Sequence, residues 1–250
     1  MMKILLKIAP IIIILVAIGF SIALAASVDE DFNGSGYTDE TSLVGLNGGT
    51  CWGQAWQDGA DVDDWSIEST GCRTANCANA DTGSADIIDD REFSAGITNA
   101  STTVYMKRSD TNDNGFIRFA KTDNTTIITI FYERNGLGSD ILLNNSVDIG
   151  GWVVDQWHSI ELEWGDTGGG GTCAANEVRA RMGGDTWSAC TAFMNTQTGA
   201  VEQVEVDWKA DGGGTMGIDE LVIIDADGGS CAVAAVATPA NPLWRFISDF

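Results

Sequence analysis

Three carboxylates stand close together in Glu161-Leu162-Glu163-Trp164-Gly165-Asp166. On a β-strand, residues i and i+2 share a face about 7 Å apart, twice the rise per residue. Two acids at that separation suit retaining glycoside hydrolysis, one as nucleophile and the other as proton donor. Glu161, Glu163 and Asp166 are therefore the catalytic candidates. Glu161 and Glu163 also form the polar half of an alternation whose apolar half is Ile160, Leu162 and Trp164. A solvated strand face explains them more simply than catalysis does. The chain has one histidine, His158, so neither a supported Ser-His-Asp relay nor a histidine-rich metal site can be assembled. No P-loop or dinucleotide-binding fingerprint follows a strand.

The aromatic residues suggest binding chemistry instead. Nine tryptophans are many for 250 residues. Trp157, Trp164 and Trp208 fall in the apolar phase of alternating runs and are assigned to the core. Trp52, Trp56, Trp65 and Trp187 lie outside clean alternation. Two of these have an acid nearby, Trp56 with Asp58 and Trp187 with Asp185. Each pair offers an apolar stacking surface beside an acceptor for hydroxyl groups, the combination a sugar ligand needs. These four residues are the ligand-binding candidates, with edge packing as the competing role for each tryptophan. Asp110-Thr111-Asn112-Asp113-Asn114-Gly115 matches the first half of an EF-hand loop, but Lys121 stands where the bidentate glutamate belongs. A hairpin turn explains that run without a metal.

The elements that must position these residues are strands. Period-two alternation recurs at Ile160–Trp164, Val178–Met182 and Val204–Trp208, and each run is expected to put one face in the core and one in water. Thr126–Tyr132 and Ile218–Ile224 are apolar on both faces and are expected to be central strands. Turn signals separate the runs: Asn112–Gly115 between strands around Val104–Lys107 and Phe116–Lys121, then Asn135-Gly136, then Gly183-Gly184-Asp185. The expected fold is all-β, a two-sheet antiparallel jelly-roll sandwich of about a dozen strands.

The first 25 residues carry the marks of a secretory signal. Lys3 and Lys7 precede the apolar run Ile11–Ile18, and Ala23-Leu24-Ala25 supplies a cleavage site. An uncleaved leader would instead tether the chain to a membrane. The expected organisation is a signal peptide at 1–25, one domain at 26–226 and a linker or tail at 227–250, in a secreted or cell-surface protein. Cys51, Cys72, Cys77, Cys173, Cys190 and Cys231 all follow the leader. An even count behind a signal points to disulfides in one of 15 connectivities; local spacing favours Cys72 with Cys77, then Cys173 with Cys190. With 36 acids against 13 bases and a net charge of −23, nucleic acid and anionic membrane surfaces are excluded as partners.

Three segments carry a family resemblance. Asp31-Phe32 with Gly48-Gly49-Thr50-Cys51-Trp52-Gly53-Gln54-Ala55-Trp56, then Gln156–Glu163, then Gly217–Ile223 occur in this order. Together they resemble the concanavalin A-like lectin/glucanase jelly rolls, particularly the laminin-G-like domains of secreted bacterial proteins. The resemblance implies a two-sheet jelly roll, neighbouring first and last strands, and commonly carbohydrate binding. If those strands are neighbours, Asp31 and Asp219 could share one structural Ca²⁺. Glucanases of this broad fold carry E-x-D-x-x-E, from which Glu161-x-Glu163-x-x-Asp166 departs in residue type. The expected function is a non-catalytic extracellular carbohydrate-binding or adhesion module, its partner a glycan or a cell-surface or matrix component. The alternatives are a structural surface protein or a secreted glycoside hydrolase.

Overall fold

The structure, a computed structural model, describes residues 26–33, 36–59, 65–81, 86–109, 114–132, 140–165, 173–209 and 214–226. The leader, Asp166, Cys231, the tail, most of the EF-hand-like run and Asn135-Gly136 lie outside the described residues. Within them the chain forms fifteen strands and one short 3-10 turn, Met194–Thr196. The strands are β1 (Ala26–Glu30), β2 (Gln57–Asp58), β3 (Ser66–Glu68), β4 (Cys77–Asp81), β5 (Asp86–Ile97), β6 (Ala100–Arg108), β7 (Asn114–Ala120) and β8 (Thr126–Tyr132). They continue as β9 (Asp140–Leu143), β10 (Val147–Gly151), β11 (His158–Trp164), β12 (Glu177–Met182), β13 (Thr191–Ala192), β14 (Val201–Lys209) and β15 (Thr215–Asp225).

Two antiparallel sheets make the sandwich. One has eight strands in the order β13-β12-β11-β6-β15-β4-β3, with β1 also paired to β15; the other has seven, β10-β9-β8-β7-β14-β5-β2. The first and last described strands are neighbours, with Ala26 opposite Asp225 and Glu30 opposite Leu221. The edge of β15 that holds β1 along Leu221–Asp225 holds β4 along Thr215–Ile218. At the handover the register slips between Asp219 and Val222, and Glu220 takes a positive φ of 48°. Such a bulge re-aims side chains, here toward the loop before β4.

The alternation places the core as expected for β11 and β12: Ile160, Leu162, Trp164, Val178 and Ala180 are all buried between the sheets. β8 coincides with the doubly apolar run and lies between β7 and β9. Two expectations fail. Trp157 is half-exposed outside the core, its Nε1 donating to the Gly71 carbonyl at 3.1 Å. The polar side of β14, expected in water, is buried at Gln203, Glu205 and Asp207. β14 sits between β7 and β5, so neighbouring side chains enclose even its outer face.

A third expectation fails for the strands on either side of Asn112–Gly115. β6 and β7 belong to different sheets, so they are not the two arms of a hairpin; Asn112 and Asp113 themselves lie outside the described residues. Gly115 is needed for packing: a Cβ there would stand 2.4 Å from Met216 Sδ and 3.2 Å from the Trp208 ring. The local cysteine pairs are as expected, Cys72–Cys77 and Cys173–Cys190. Cys51 is also disulfide-bonded, to a partner outside the described residues.

Candidate functional site

The family-like opening segment builds a buried clasp. Glu30 and Arg91, both with no side-chain exposure, form an ion pair. Glu30 also accepts from Tyr37 Oη at 2.8 Å, Phe32 N at 3.2 Å and Trp56 Nε1 at 3.4 Å. Arg91 donates to the Gln54 carbonyl at 2.9 Å, Asn47 Oδ1 at 2.6 Å and the Gly48 carbonyl at 2.9 Å. Its guanidinium lies 4.4 Å from the Trp52 ring centroid. Burial pushes the Glu30 carboxyl up, with Arg91 opposing. Burial also raises the Tyr37 hydroxyl, and the Glu30 charge raises it further. Trp56 is 1% exposed in this cluster, so its ring serves the clasp; Asp58 is exposed on β2. The structure does not join that pair into a stacking surface with an acceptor.

The metal candidates have separate partners. Asp31 is exposed and accepts from the backbone of Asn33 at 3.0 Å. Asp219 is buried and accepts from Thr74 N and Thr74 Oγ1, both at 2.9 Å. Burial raises its carboxyl, and Thr74 opposes the shift. Arg73 stacks 3.7 Å over the Tyr105 ring and pairs with Glu220, while Lys107 Nζ donates to the Gly71 carbonyl at 2.6 Å. Asp219 thus fastens the Cys72–Cys77 loop onto the eight-stranded sheet. Among the described residues, no group of three or more metal-ligating side chains converges. His158 is likewise a tie: its Nε2 accepts from Val153 N at 3.0 Å.

The remaining candidates meet on the outer face of the eight-stranded sheet. Glu161 lies opposite Arg181 and Glu163 opposite Arg179 in the β11–β12 register. Arg181 Nε and Nη2 reach Glu161 Oε2 at 2.9 and 2.5 Å; Arg179 repeats this on Glu163 at 2.8 and 2.5 Å. The two guanidiniums lie 4.5 and 4.8 Å from the Trp187 ring centroid. Trp187 is half-exposed, and Asp185 is exposed at the turn after β12. In the sequence the two glutamates and the Trp187–Asp185 pair stand as separate candidates. Two arginines join them into one patch, an indole resting on a ladder of salt bridges. The ladder engages each glutamate with an arginine, so both acids act as supports for that ring.

The opposite sheet holds residues that the sequence did not single out. On its outer face, Phe116 and Phe131 stack at 4.6 Å and 6° in directly opposed positions on β7 and β8. Arg118 pairs with Glu205 and reaches Asp207 at 2.5 Å. Asp90 stands directly opposite Glu205, and its carboxyl rises to about 6, chiefly through burial and then through the charges of Glu205 and Glu92. Burial likewise raises Asp207, against the pull of Arg118. The available signal was carboxylates at i and i+2 in a strand as apolar as β14.

No protein-family model matches this sequence, and no curated protein matches it. Solved structures share the fold. A sialidase superposes on 81% of this chain with a TM-score of 0.55 and 8% identity; the chain spans only 19% of that protein. The apo Crh5 transglycosylase superposes on 83% of this chain and 88% of its own, with a TM-score of 0.51 and 11% identity. At such identities the likeness is one of fold, the jelly-roll sandwich that the resemblance implied.

Proposed function

We propose that this chain is an exported, non-catalytic glycan-binding module that presents Trp187 as its stacking surface. The observation that carries the reading is the half-exposed Trp187 indole held against the guanidiniums of Arg179 and Arg181. An indole offers a large amphipathic surface at little conformational cost. Here salt bridges in strand register hold that surface, and Asp185 lies two residues away at the turn. The apolar face of a pyranose would lie on the ring, with its hydroxyls meeting the carboxylates and guanidiniums around it. The carbohydrate-active names among the fold's neighbours agree with a sugar ligand, and the disulfides agree with an oxidising destination. A glycan array of the exported protein, with and without calcium, tests this. Binding of one related set of neutral oligosaccharides, lost in Trp187→Ala, is expected. A blank array, or binding unchanged by that substitution, would reject it.

A further inference from the structure

The outer face of the eight-stranded sheet carries a second half-exposed indole, at Trp157. Trp157 directly precedes β11, and the β11–β6 register, His158 opposite Met106, sets it against Lys107 when continued by one residue. Its ring reaches across β6 to β15: a Cβ at Gly217 would stand 3.0 Å from Trp157 Cη2. Gly217 lies opposite Lys107 in the β15–β6 register, so a glycine leaves room for the ring on the sheet. The ring is also held from above. Its Nε1 donates at 3.1 Å to the Gly71 carbonyl, which accepts from Lys107 Nζ at 2.6 Å, and that ammonium lies 5.1 Å from the ring centroid. Trp157 is thus fixed and reachable, as Trp187 is on β12.

The strip between the two indoles is polar. Thr103 on β6 and Ser159 on β11 are part-exposed in the outward phase, and no other described residue engages their hydroxyls. Arg73, stacked on Tyr105 opposite Ser159, borders the strip. From the ladder rows of Glu163 and Glu161 to the row of Trp157 is six and four residues along the strands, and from β12 to β15 is three strand steps. At about 3.3 Å per residue and about 4.8 Å per strand, the indoles stand roughly 20 Å apart. One extended pyranose unit is close to one strand spacing in length, so units one and five of a straight chain meet the two rings. We infer that the ligand is an extended, β-1,4-linked chain of at least five sugar units, and that Trp157 is its second stacking subsite. The inference rests on the Trp187 reading. An ammonium has three donors, and Lys107 spends one on Gly71, which leaves two for hydroxyls of the unit on Trp157. Thr103 and Ser159 meet the units between. A short or coiled glycan reaches one ring only, and two linked contacts on one chain raise the affinity well above either alone.

The test is calorimetric titration of the wild type, Trp157→Ala and Trp187→Ala. The probes are dimers and hexamers of β-1,4-linked glucose and of β-1,4-linked N-acetylglucosamine, with the α-1,4-linked glucose hexamer as the coiled counterpart. One β-1,4-linked hexamer is expected to bind wild type at least tenfold tighter than its own dimer and than the coiled hexamer. In Trp157→Ala that hexamer should fall to the affinity of the dimer while the dimer stays as in wild type, a result that also shows the variant folded. In Trp187→Ala the hexamer should weaken at least tenfold. Equal affinity of dimer and hexamer for wild type overturns the inference. So does equal binding of the coiled hexamer, silence of both β-1,4-linked hexamers, or an equal loss of both lengths in Trp157→Ala. A hexamer weakened by Trp187→Ala and unchanged by Trp157→Ala removes this subsite and leaves the Trp187 reading standing. A hexamer weakened by Trp157→Ala alone rejects the Trp187 reading, and the two-ring chain falls with it.

Discussion

Arginine–carboxylate pairs occur in two settings in this sandwich, and the contrast separates architecture from surface chemistry. Around Glu30 and Arg91 the pair has no exposure, and protein donors and acceptors surround it. On the β11–β12 face, Arg179 and Arg181 keep 18% and 28% of their side chains exposed and carry a tryptophan. The first arrangement recruits aromatic rings inward, to Trp52 and Trp56. The second holds a ring outward, where a ligand can reach it. The clasp should therefore govern folding, and the ladder should govern binding.

The largest expected effect follows from breaking the clasp. Arg91→Met leaves Glu30 buried without its cation, a change that costs about 3–5 kcal/mol. Denaturant unfolding should show that loss, and the double variant Glu30→Leu with Arg91→Met should regain part of it. A loss below about 1 kcal/mol would erase the distinction from the surface pairs. Next in size is the Cys173–Cys190 bond, which closes a 17-residue separation around β12 and Trp187. Replacing both cysteines with serine should cost about 3 kcal/mol and weaken glycan binding as the Trp187 segment loosens.

Smaller effects sharpen the comparison further. Arg181→Ala should change stability by less than about 1 kcal/mol yet reduce glycan affinity severalfold, because Trp187 loses one support. Asp90 gives the smallest signal. Its folded carboxyl titrates at about 6 rather than 3.8, through burial and two neighbouring acids. The folded state holds that proton more tightly than the unfolded chain does, so its contribution is complete below pH 3.8 and lost as pH rises through 6. Asp90→Asn should match wild type near pH 3.5 and exceed it by about 1 kcal/mol above pH 7, a figure reduced for solvent screening at this half-exposed site. Thermal melts at the two pH values measure it.

How far the sequence revealed this molecule depended on sequence distance. Alternation placed Ile160, Leu162 and Trp164 correctly and a run apolar on both faces marked β8, because both patterns are local, and short spacing found Cys72–Cys77. Glu30 and Arg91 are 61 residues apart, beyond any local pattern. A sign was nonetheless there: Glu30 shares the phase of Val28, and Arg91 that of Ile87 and Phe93, so both charges stood in core positions. Trp157 failed because it is counted in the wrong phase: it lies one residue before β11 in step with Ser159, Glu161 and Glu163, and the core phase is that of Ile160, Leu162 and Trp164. Glu205 and Asp207 looked solvated because alternation reports the face of a strand, while enclosure by β5 and β7 is a property of the sheet. The Trp187 patch was legible as parts, and its unity came from Arg179 and Arg181 lying opposite Glu163 and Glu161.

The most direct measurement pairs glycan titration with unfolding for wild type and Trp187→Ala. The expected result is at least a tenfold loss of affinity for the bound oligosaccharide, with an unfolding free energy within about 1 kcal/mol of wild type, since a half-exposed ring contributes little to the core. Undiminished affinity in Trp187→Ala, or a wild-type protein that binds no glycan at all, would contradict it.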